Sequence, residues 1–441
     1  MEWENLPRRV RENRGMASPV NPPRGMRDFL PADKARRERV LGVIRGIYAA
    51  HGFDEIETPV MEDSSRLHAG LGGDNEKLAF GVLKRGLTPE DFAAATDSLD
   101  LADLGLRFDL TVPLARFYAS HRSELPPVFR SIQIAPVWRA ERPQKGRYRQ
   151  FVQCDIDIIG EQGPLAEVEL ITATAATLRA LGLSGCSIRI NDRRILTGML
   201  TALGFAQADH EAVVVTIDKL DKVGNDGVVA ELTSRGFGAA AIDALHDFFT
   251  RPRPREIEPF GVDAIARALP LGVDPALVAE LAELGLAVLA AGGGVELDFD
   301  PFLVRGMGYY TGTIFEIAHP DSTGSLGGGG RYDGMIGRFL GVDVPAAGFS
   351  IGFERIVDLV DLPSGVSGSA VALVHDVGVA PATLVALKSA LIAQGRRVRL
   401  ERKPRNPKPL FAQLEASGFT SFAPVLVETT SVDELEFRPI G

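Results

Sequence analysis

The segment from Val137 to Gly160, VWRAERPQKGRYRQFVQCDIDIIG, concentrates side chains able to do chemistry. Its first half carries Arg139, Glu141, Arg142, Lys145, Arg147 and Arg149, a charge density suited to holding a polyanion. In its second half Phe151, Gln153, Asp155 and Asp157 alternate with Val152, Cys154, Ile156 and Ile158. A period of two predicts a strand with one apolar face and one face of aromatic, amide and carboxylate groups. Such a polar face suits a small polar molecule. Pro143-Gln144-Lys145-Gly146 reads as a turn. The expected unit is an antiparallel hairpin with a cationic strand, a cationic loop and a polar return strand. The same pattern also describes an ordinary amphipathic hairpin with a solvated charged face.

Further candidates lie far apart in the chain. LRFDLTVPL, residues 106–114, reads as a strand with Arg107, Asp109 and Thr111 on one face. Asp109 suits an ammonium group through a charge-assisted hydrogen bond, or caps a helix begun by Thr111-Val112-Pro113. Arg305 stands close to Tyr309 and Tyr310. Gly327 to Gly330 are four successive glycines. No Gly-Lys-Ser/Thr follows, so this is not a P-loop; glycines here permit close approach of a ligand or another backbone to a strand. Arg355 falls in the first turn of a helical pattern, where the dipole disfavours a cation. Facing an anion or stacking on a flat ring explains it, as does plain surface placement. Arg396, Arg397, Arg399, Arg402, Lys403, Arg405 and Lys408 are opposed only by Glu401 across residues 396–408. That run suits phosphate backbones or protects an edge strand.

The elements that must position these groups follow from patterning. A helix starts at Pro31, with Val40, Val43, Ile44 and Ile47 on one face, and ends at Gly52. Phe53 to Thr58 alternates as a strand. Pro164 to Leu183 and DRRILTGMLTALG read as helices around a strand at Ser187 to Asn191. Residues 207–293 are rich in alanine, leucine and glutamate and read as an all-helical insertion, broken at RPRPREIEP. Residues 361–370 read as a linker, and 371–441 as a small α/β unit. Residues 1–21 form a charged extension, expected to be mobile, without the apolar stretch of a secretory signal.

A chain of 441 residues exceeds one typical core, so several domains are expected. Two cysteines and no Cys/His cluster argue against a disulfide scaffold or a zinc site, and no protein-bound metal is expected. A reducing cytoplasm fits. No apolar run is long enough to span a bilayer. The net charge of −10 argues against wholesale coating of nucleic acid, while a local basic patch still permits contact.

Taken in order, several stretches resemble histidyl-tRNA synthetases, members of the class II aminoacyl-tRNA synthetases. The helix and strand from Pro31 to Pro59 resemble class II motif 1. WRAERPQKGRYRQFVQCDIDIIG resembles motif 2. LVRGMGYYTGTIFE and GGGGRYDGMIG resemble the two signatures of the histidine enzymes, and GFSIGFERI resembles motif 3. LRFDLTVPLAR, INDRRIL and TIDKLDKVG also look like this family. The resemblance covers Pro22 to Val360. It implies an α+β fold: a class II antiparallel sheet flanked by helices, with a helical insertion and a small C-terminal α/β anticodon-binding-like domain.

The resemblance further implies ATP-dependent activation of L-histidine, with Mg²⁺ on the ATP phosphates, and transfer to tRNA-His. It places Arg139 and Arg305 on opposite sides of the α-phosphate as catalytic groups. For histidine it implies Asp109, Leu110, Thr111, Arg139, Gln153, Asp157, Arg305, Tyr309 and Tyr310. For ATP it implies Arg139, Glu141, Arg147, Phe151 and Arg355. Contacts to tRNA fall to Arg142, Lys145, Arg399, Arg402 and Lys403, and motif 1 implies a homodimer. Two features depart from the family. Gly308 replaces an acidic residue, which implies looser surroundings for Arg305. The C-terminal unit is short. Two other readings keep the fold without the full activity. One is a histidine-sensing regulatory subunit of ATP phosphoribosyltransferase; the other delivers activated histidine to something other than tRNA. The presence of Arg139, Arg305 and Arg355 weighs against the first.

Overall fold

A computed structural model describes residues 20–68, 78–143, 146–251, 260–292, 294–305, 308–322, 324–361 and 370–440. Most of the N-terminal extension, Lys145, all of the RPRPREIEP break after Arg251 and nearly all of the 361–370 linker lie outside the described residues.

An eight-stranded sheet organises the larger part of the chain. In spatial order its strands are Asp54–Glu55, Phe129–Trp138, Gln150–Ile159, Ala346–Gly352, Gly327–Arg331, Thr313–Ala318, Ser187–Asp192 and Glu296–Phe299. The inner pairs are antiparallel, and only the two outermost pairs run parallel. The mainly antiparallel sheet agrees with the class II type of fold.

Strand parity decides what each face meets. Cys154, Ile156 and Ile158 join Ala347, Phe349, Ile351, Phe315 and Ile317 in the main core. The helix Pro31–Ala50 packs there through Val40, Leu41, Ile44 and Tyr48. Proline at its start costs no hydrogen bond, because the first-turn N–H groups are unpaired anyway. Leu165–Ala180 covers the same face. On the opposite parity Ile159, Ile314 and Ala346 join Phe108, Leu114, Tyr118 and Tyr332 in a second core, under the helices Thr111–His121 and Asp333–Leu340.

The helices His210–Ile217, Leu220–Ser234, Ala239–Thr250, Val262–Arg267 and Pro275–Ala290 occupy the segment read as an insertion. Val213, Leu232, Leu245, Phe248, Phe260 and Leu281 belong to the main core, so these helices are continuous with the sheet. Residues 370–440 hold a second sheet, ordered Arg397–Arg402, Ala370–His375, Ser421–Val425, Arg438–Pro439. It is sandwiched by Pro381–Ala393 and Lys408–Ala416, with its own small cores.

Three local expectations need correction. The strand before the hairpin turn is not cationic: Phe129–Trp138 pairs with Gln150–Ile159 and ends at Trp138 opposite Gln150. The charges from Arg139 to Arg149 fill the connection, whose base is closed by Arg139 N–H donating to Arg149 O at 2.8 Å. A loop lets like charges splay into water, where a strand would align them. Secondly, the strand at 106–114 stops at Leu106, and Thr111 begins a helix. Arg107 turns away from any cleft, donating to the carbonyls of Thr58, Pro59 and Pro136. Thirdly, of Phe53 to Thr58 only Asp54–Glu55 is strand, since Pro59 stops further pairing.

Candidate active site

A cleft of about 380 Å³ opens on the second face of the sheet. Its floor is the odd-numbered row of the Gln150–Ile159 strand: Phe151, Gln153, Asp155 and Asp157. Asp109, Thr111, Arg139, Glu141, Arg147, Arg305, Tyr309, Tyr310 and Arg355 complete the wall. Residues from the beginning, middle and end of the large domain thus meet in one place.

Two glycines allow the walls to approach this closely. A Cβ on Gly348 would lie 2.0 Å from Asp157 Oδ1, and one on Gly328 would lie 2.6 Å from the Arg305 guanidinium. The four-glycine run is the strand Gly327–Arg331, whose flat surface leaves room for Arg305 to lie across it.

One end of the cleft is a buried acceptor pocket. Asp109 is 2 % exposed. Its Oδ1 accepts from Val112 N–H at 3.1 Å, so it does cap the helix. Its Oδ2 is buried without a partner. Burial raises its pKa to about 6, against the lowering effect of Val112 N–H and Arg139. Gln153 donates from Nε2 to Asp155 at 3.2 Å and to Ser350 Oγ at 3.2 Å, while its Oε1 has no partner. Two unsatisfied buried acceptors in one cleft call for a donor, and an ammonium supplies three.

Asp157 accepts from Tyr332 OH at 2.6 Å; burial raises its pKa to about 7. Asp155 is pushed well above the carboxylate range by burial, then by the charge of Asp157. The Tyr309 ring lies 4.8 Å from that of Tyr310 and 6.0 Å from that of Tyr332.

The other end is cationic. Arg139 donates from Nε to Phe108 O at 2.9 Å and lies 5.0 Å from the Phe151 ring centroid. Arg305 donates from Nη1 to Glu316 at 3.0 Å, and its Nε is buried without a partner. Arg147 pairs with Glu141 at 3.2 Å. Arg355 donates to Ser325 O. Burial, then the charges of Arg147, Arg305 and Arg139, hold the Arg355 pKa below its ordinary value. Four guanidinium groups that repel one another across a cleft form a site for a polyanion.

Behind this end stands Glu354, 6 % exposed. It accepts from Arg37 at 2.6 and 2.7 Å, from Arg27, and from Val152 N–H at 3.3 Å. It ties the first helix and the site strand to the turn that carries Arg355. Among the described residues no cluster of three or more His, Cys, Asp or Glu side chains could hold a metal.

A model of the histidyl-tRNA synthetase family matches residues 25–356. The histidine–tRNA ligase of Leifsonia xyli subsp. xyli is 63% identical over 432 residues, covering 96% of this chain and 99% of that protein. The chain belongs to the histidyl-tRNA synthetase family. A probable histidine–tRNA ligase of Tropheryma whipplei is 43% identical, with 91% and 95% coverage. The crystal structure of the histidyl-tRNA synthetase from Nostoc sp. PCC 7120 superposes with TM-score 0.74 at 26% identity, covering 96% of this chain and 95% of that one. A Bacillus halodurans structure, titled an ATP phosphoribosyltransferase regulatory subunit/histidyl-tRNA synthetase, shares the fold with TM-score 0.73 at 20% identity, covering 93% of this chain and 99% of that one.

Within this synthetase-family fold, every residue expected around histidine and ATP lines the cleft except Leu110. Leu110 is fully buried and its carbonyl accepts from Gln133 Nε2 at 3.1 Å. Arg142 is exposed on the loop, and Lys145 lies outside the described residues. Arg399, on the edge strand of the small unit, lies 4.7 Å from the Phe419 ring centroid. Lys403 pairs with Asp376 at 2.9 Å, and Arg402 is exposed. Gly308 is exposed, and Glu316 supplies the carboxylate that holds Arg305. Tyr332, Asp155, Ser350 and Glu354 were missing from the expected set. Tyr332 follows the glycine strand directly and Asp155 shares the parity of Gln153, so each carried a positional signal.

Proposed function

We propose that this chain is a histidine–tRNA ligase whose cleft binds histidine at its acceptor end and ATP at its arginine end. The observation that carries the site assignment is the division of one strand face. Unpartnered Asp109 Oδ2 and Gln153 Oε1 stand beside Asp157, and Phe151 with four arginines lines the remainder.

In this reading Asp109, Thr111 and Gln153 hold the α-ammonium. Asp157 accepts from one imidazole nitrogen, and its bond from Tyr332 fixes the acceptor geometry; Tyr310 reads the other side, with Tyr309 behind it. Arg139 and Arg305 flank the histidine carboxylate and the α-phosphate. A carboxylate oxygen attacks α-phosphorus and the bond to the pyrophosphate oxygen breaks. Both reactants are anionic, so fixed guanidinium groups stabilise the charge of the transition state. Arginine stays protonated there, as lysine in a dry cationic cluster would not.

Adenine lies between Phe151 and Arg355, and Glu141 with Arg147 orients the nucleotide. Mg²⁺ arrives on the ATP phosphates as part of the substrate, with water completing its shell. In the second step the 3′-terminal ribose hydroxyl of tRNA-His attacks the histidyl carbonyl and AMP leaves. Contacts to the acceptor end of tRNA are assigned to Arg142 and Lys145, and contacts to the anticodon end to Arg399, Arg402 and Lys403. The protein acts as a cytoplasmic homodimer.

The test is histidine-dependent ATP–pyrophosphate exchange. Arg305→Ala abolishes exchange while its circular dichroism stays that of the wild type; near-normal exchange by that variant sinks the assignment. The double variant R399A/R402A keeps full exchange but charges a tRNA-His transcript more slowly, with a shallower salt dependence. Undiminished charging removes the small unit from tRNA recognition.

A further inference from the structure

We infer that Asp155 is a positioning residue for amino-acid recognition: it fixes the amide of Gln153 so that the carbonyl oxygen, not the NH₂ group, faces the substrate ammonium. This rests on the assignment of the acceptor end to histidine.

An amide is nearly symmetric in shape, and its two ends have opposite hydrogen-bonding character. Turned one way, Gln153 offers an acceptor to an ammonium; turned the other, it opposes two N–H donors to a cation. Nothing in the side chain itself chooses. The surroundings choose, because Nε2 donates to both oxygens of Asp155, at 3.2 and 3.4 Å, and to Ser350 Oγ at 3.2 Å. Ionised, Asp155 is an acceptor only; protonated, it still keeps a carbonyl oxygen for the amide. The ionised form thus admits only the orientation seen here, in which Nε2 is held back and Oε1 is left buried and unpartnered in the cleft.

Asp155 is itself 5 % exposed, so its carboxyl group is enclosed. The alternation of the strand explains how it reaches Gln153. Residues 153 and 155 are successive members of one face, and Gln153 and Asp155 lie opposite Gly352 and Ser350 across the neighbouring strand. Glycine at 352 and a small hydroxyl at 350 leave the amide room to lie along the row.

The experiment measures binding of histidine and of 3-(imidazol-4-yl)propanoate, which lacks the α-amino group, together with the KM values of exchange. The wild type first establishes histidine binding; if it shows none, the site assignment and this inference fall together. Asp155→Leu removes the acceptor. Histidine affinity is expected to fall by roughly 10- to 100-fold, the loss of one hydrogen bond to a charged group. The KM for ATP and the affinity for the des-amino ligand stay near wild type. Asp155→Asn, which keeps a carbonyl for Nε2, restores most of the loss. In a Gln153→Ala background Asp155→Leu has no further effect.

Should the leucine variant not fold, charge reversal supplies the test. Gln153→Glu alone opposes two carboxyl groups and weakens histidine binding, and Q153E/D155N recovers it by exchanging donor and acceptor. Equal losses for both ligands, full additivity with Gln153→Ala, or failure of the exchange to recover binding overturns the inference while leaving histidine as the substrate.

Discussion

Gly328→Ala isolates the geometry of Arg305 without touching its charge. The added Cβ would lie 2.6 Å from both Cζ and Nη1 of Arg305 and 2.7 Å from Phe315 O. Ordinary contact for a carbon is about 3.5–4.0 Å, so something must move by roughly 1 Å. The strand cannot easily do so, because Gly328 sits between Glu316 and Ser350 with ladder partners on both sides. The guanidinium can, since its Nε is unpartnered and the group ends a flexible side chain. Its displacement breaks or bends the 3.0 Å bond to Glu316.

A misplacement of about 1 Å costs on the order of 10²-fold in rate, in the range found for loss of one transition-state donor. The kcat of ATP–pyrophosphate exchange should therefore fall about 10²-fold, with smaller changes in KM. Crowding against Phe315 O destabilises the fold by roughly 1–3 kcal/mol, and the loss of kcat persists well below the melting transition. Gly334→Ala is the control, because its Cβ meets nothing within 4 Å. A folded Gly328→Ala enzyme with wild-type kcat would refute the argument that the glycine strand sets the position of Arg305.

The buried carboxyl groups give the ligand-free protein a pH dependence. Asp109 and Asp157 titrate at about 6 and about 7, above an unfolded carboxyl near 3.9. Their stabilising contribution is complete while both are protonated in the unfolded chain, and is lost as pH rises through 6 to 7. Added ammonium favours ionised Asp109, so the rise in Tm given by saturating histidine should be larger at pH 8 than at pH 5.5; equal rises contradict this. Glu354→Gln leaves buried Arg37 without its counter-charge and should cost about 3–5 kcal/mol. Urea unfolding reads this as a lower midpoint, and an unchanged midpoint would show that Arg27 and Arg37 find other partners.

What the chain alone made legible was local and periodic. The alternation from Phe151 to Ile158 placed four polar residues on one face, and the structure puts that face on the cleft floor. Four glycines announced a close approach, and Gly328 under Arg305 is one. The misread segments are those where a tertiary partner decides. Alternation puts Arg107 on one strand face with Asp109 and Thr111, but the strand ends at Leu106 and a helix begins at Thr111. Three carbonyls from Thr58, Pro59 and Pro136 then claim its guanidinium. Leu110 sits between two cleft residues and is drawn into the core. The role of Glu354 depends on Arg27 and Arg37, more than 300 positions away, and no local pattern encodes that pairing. Tyr332 is read only once Asp157 is known to lie beside it.

The floor strand also acts as a ruler. Phe151 and Asp157 are six peptide units apart, a separation of roughly 20 Å at about 3.4 Å per residue. On the proposed assignment, covalent geometry therefore sets the spacing between the nucleotide and amino-acid ends of the cleft. A one-residue insertion would not lengthen it smoothly; it would exchange Cys154, Ile156 and Ile158 with the polar row and bring the core side into the cleft. The next permitted length is two residues, about 7 Å more, which exceeds the difference between most amino-acid side chains. The compartment can thus be resized only by trading side-chain volume on its walls. Redesign for a bulkier amino acid has to begin with Tyr310 and Tyr332, because the backbone beneath them allows no intermediate step.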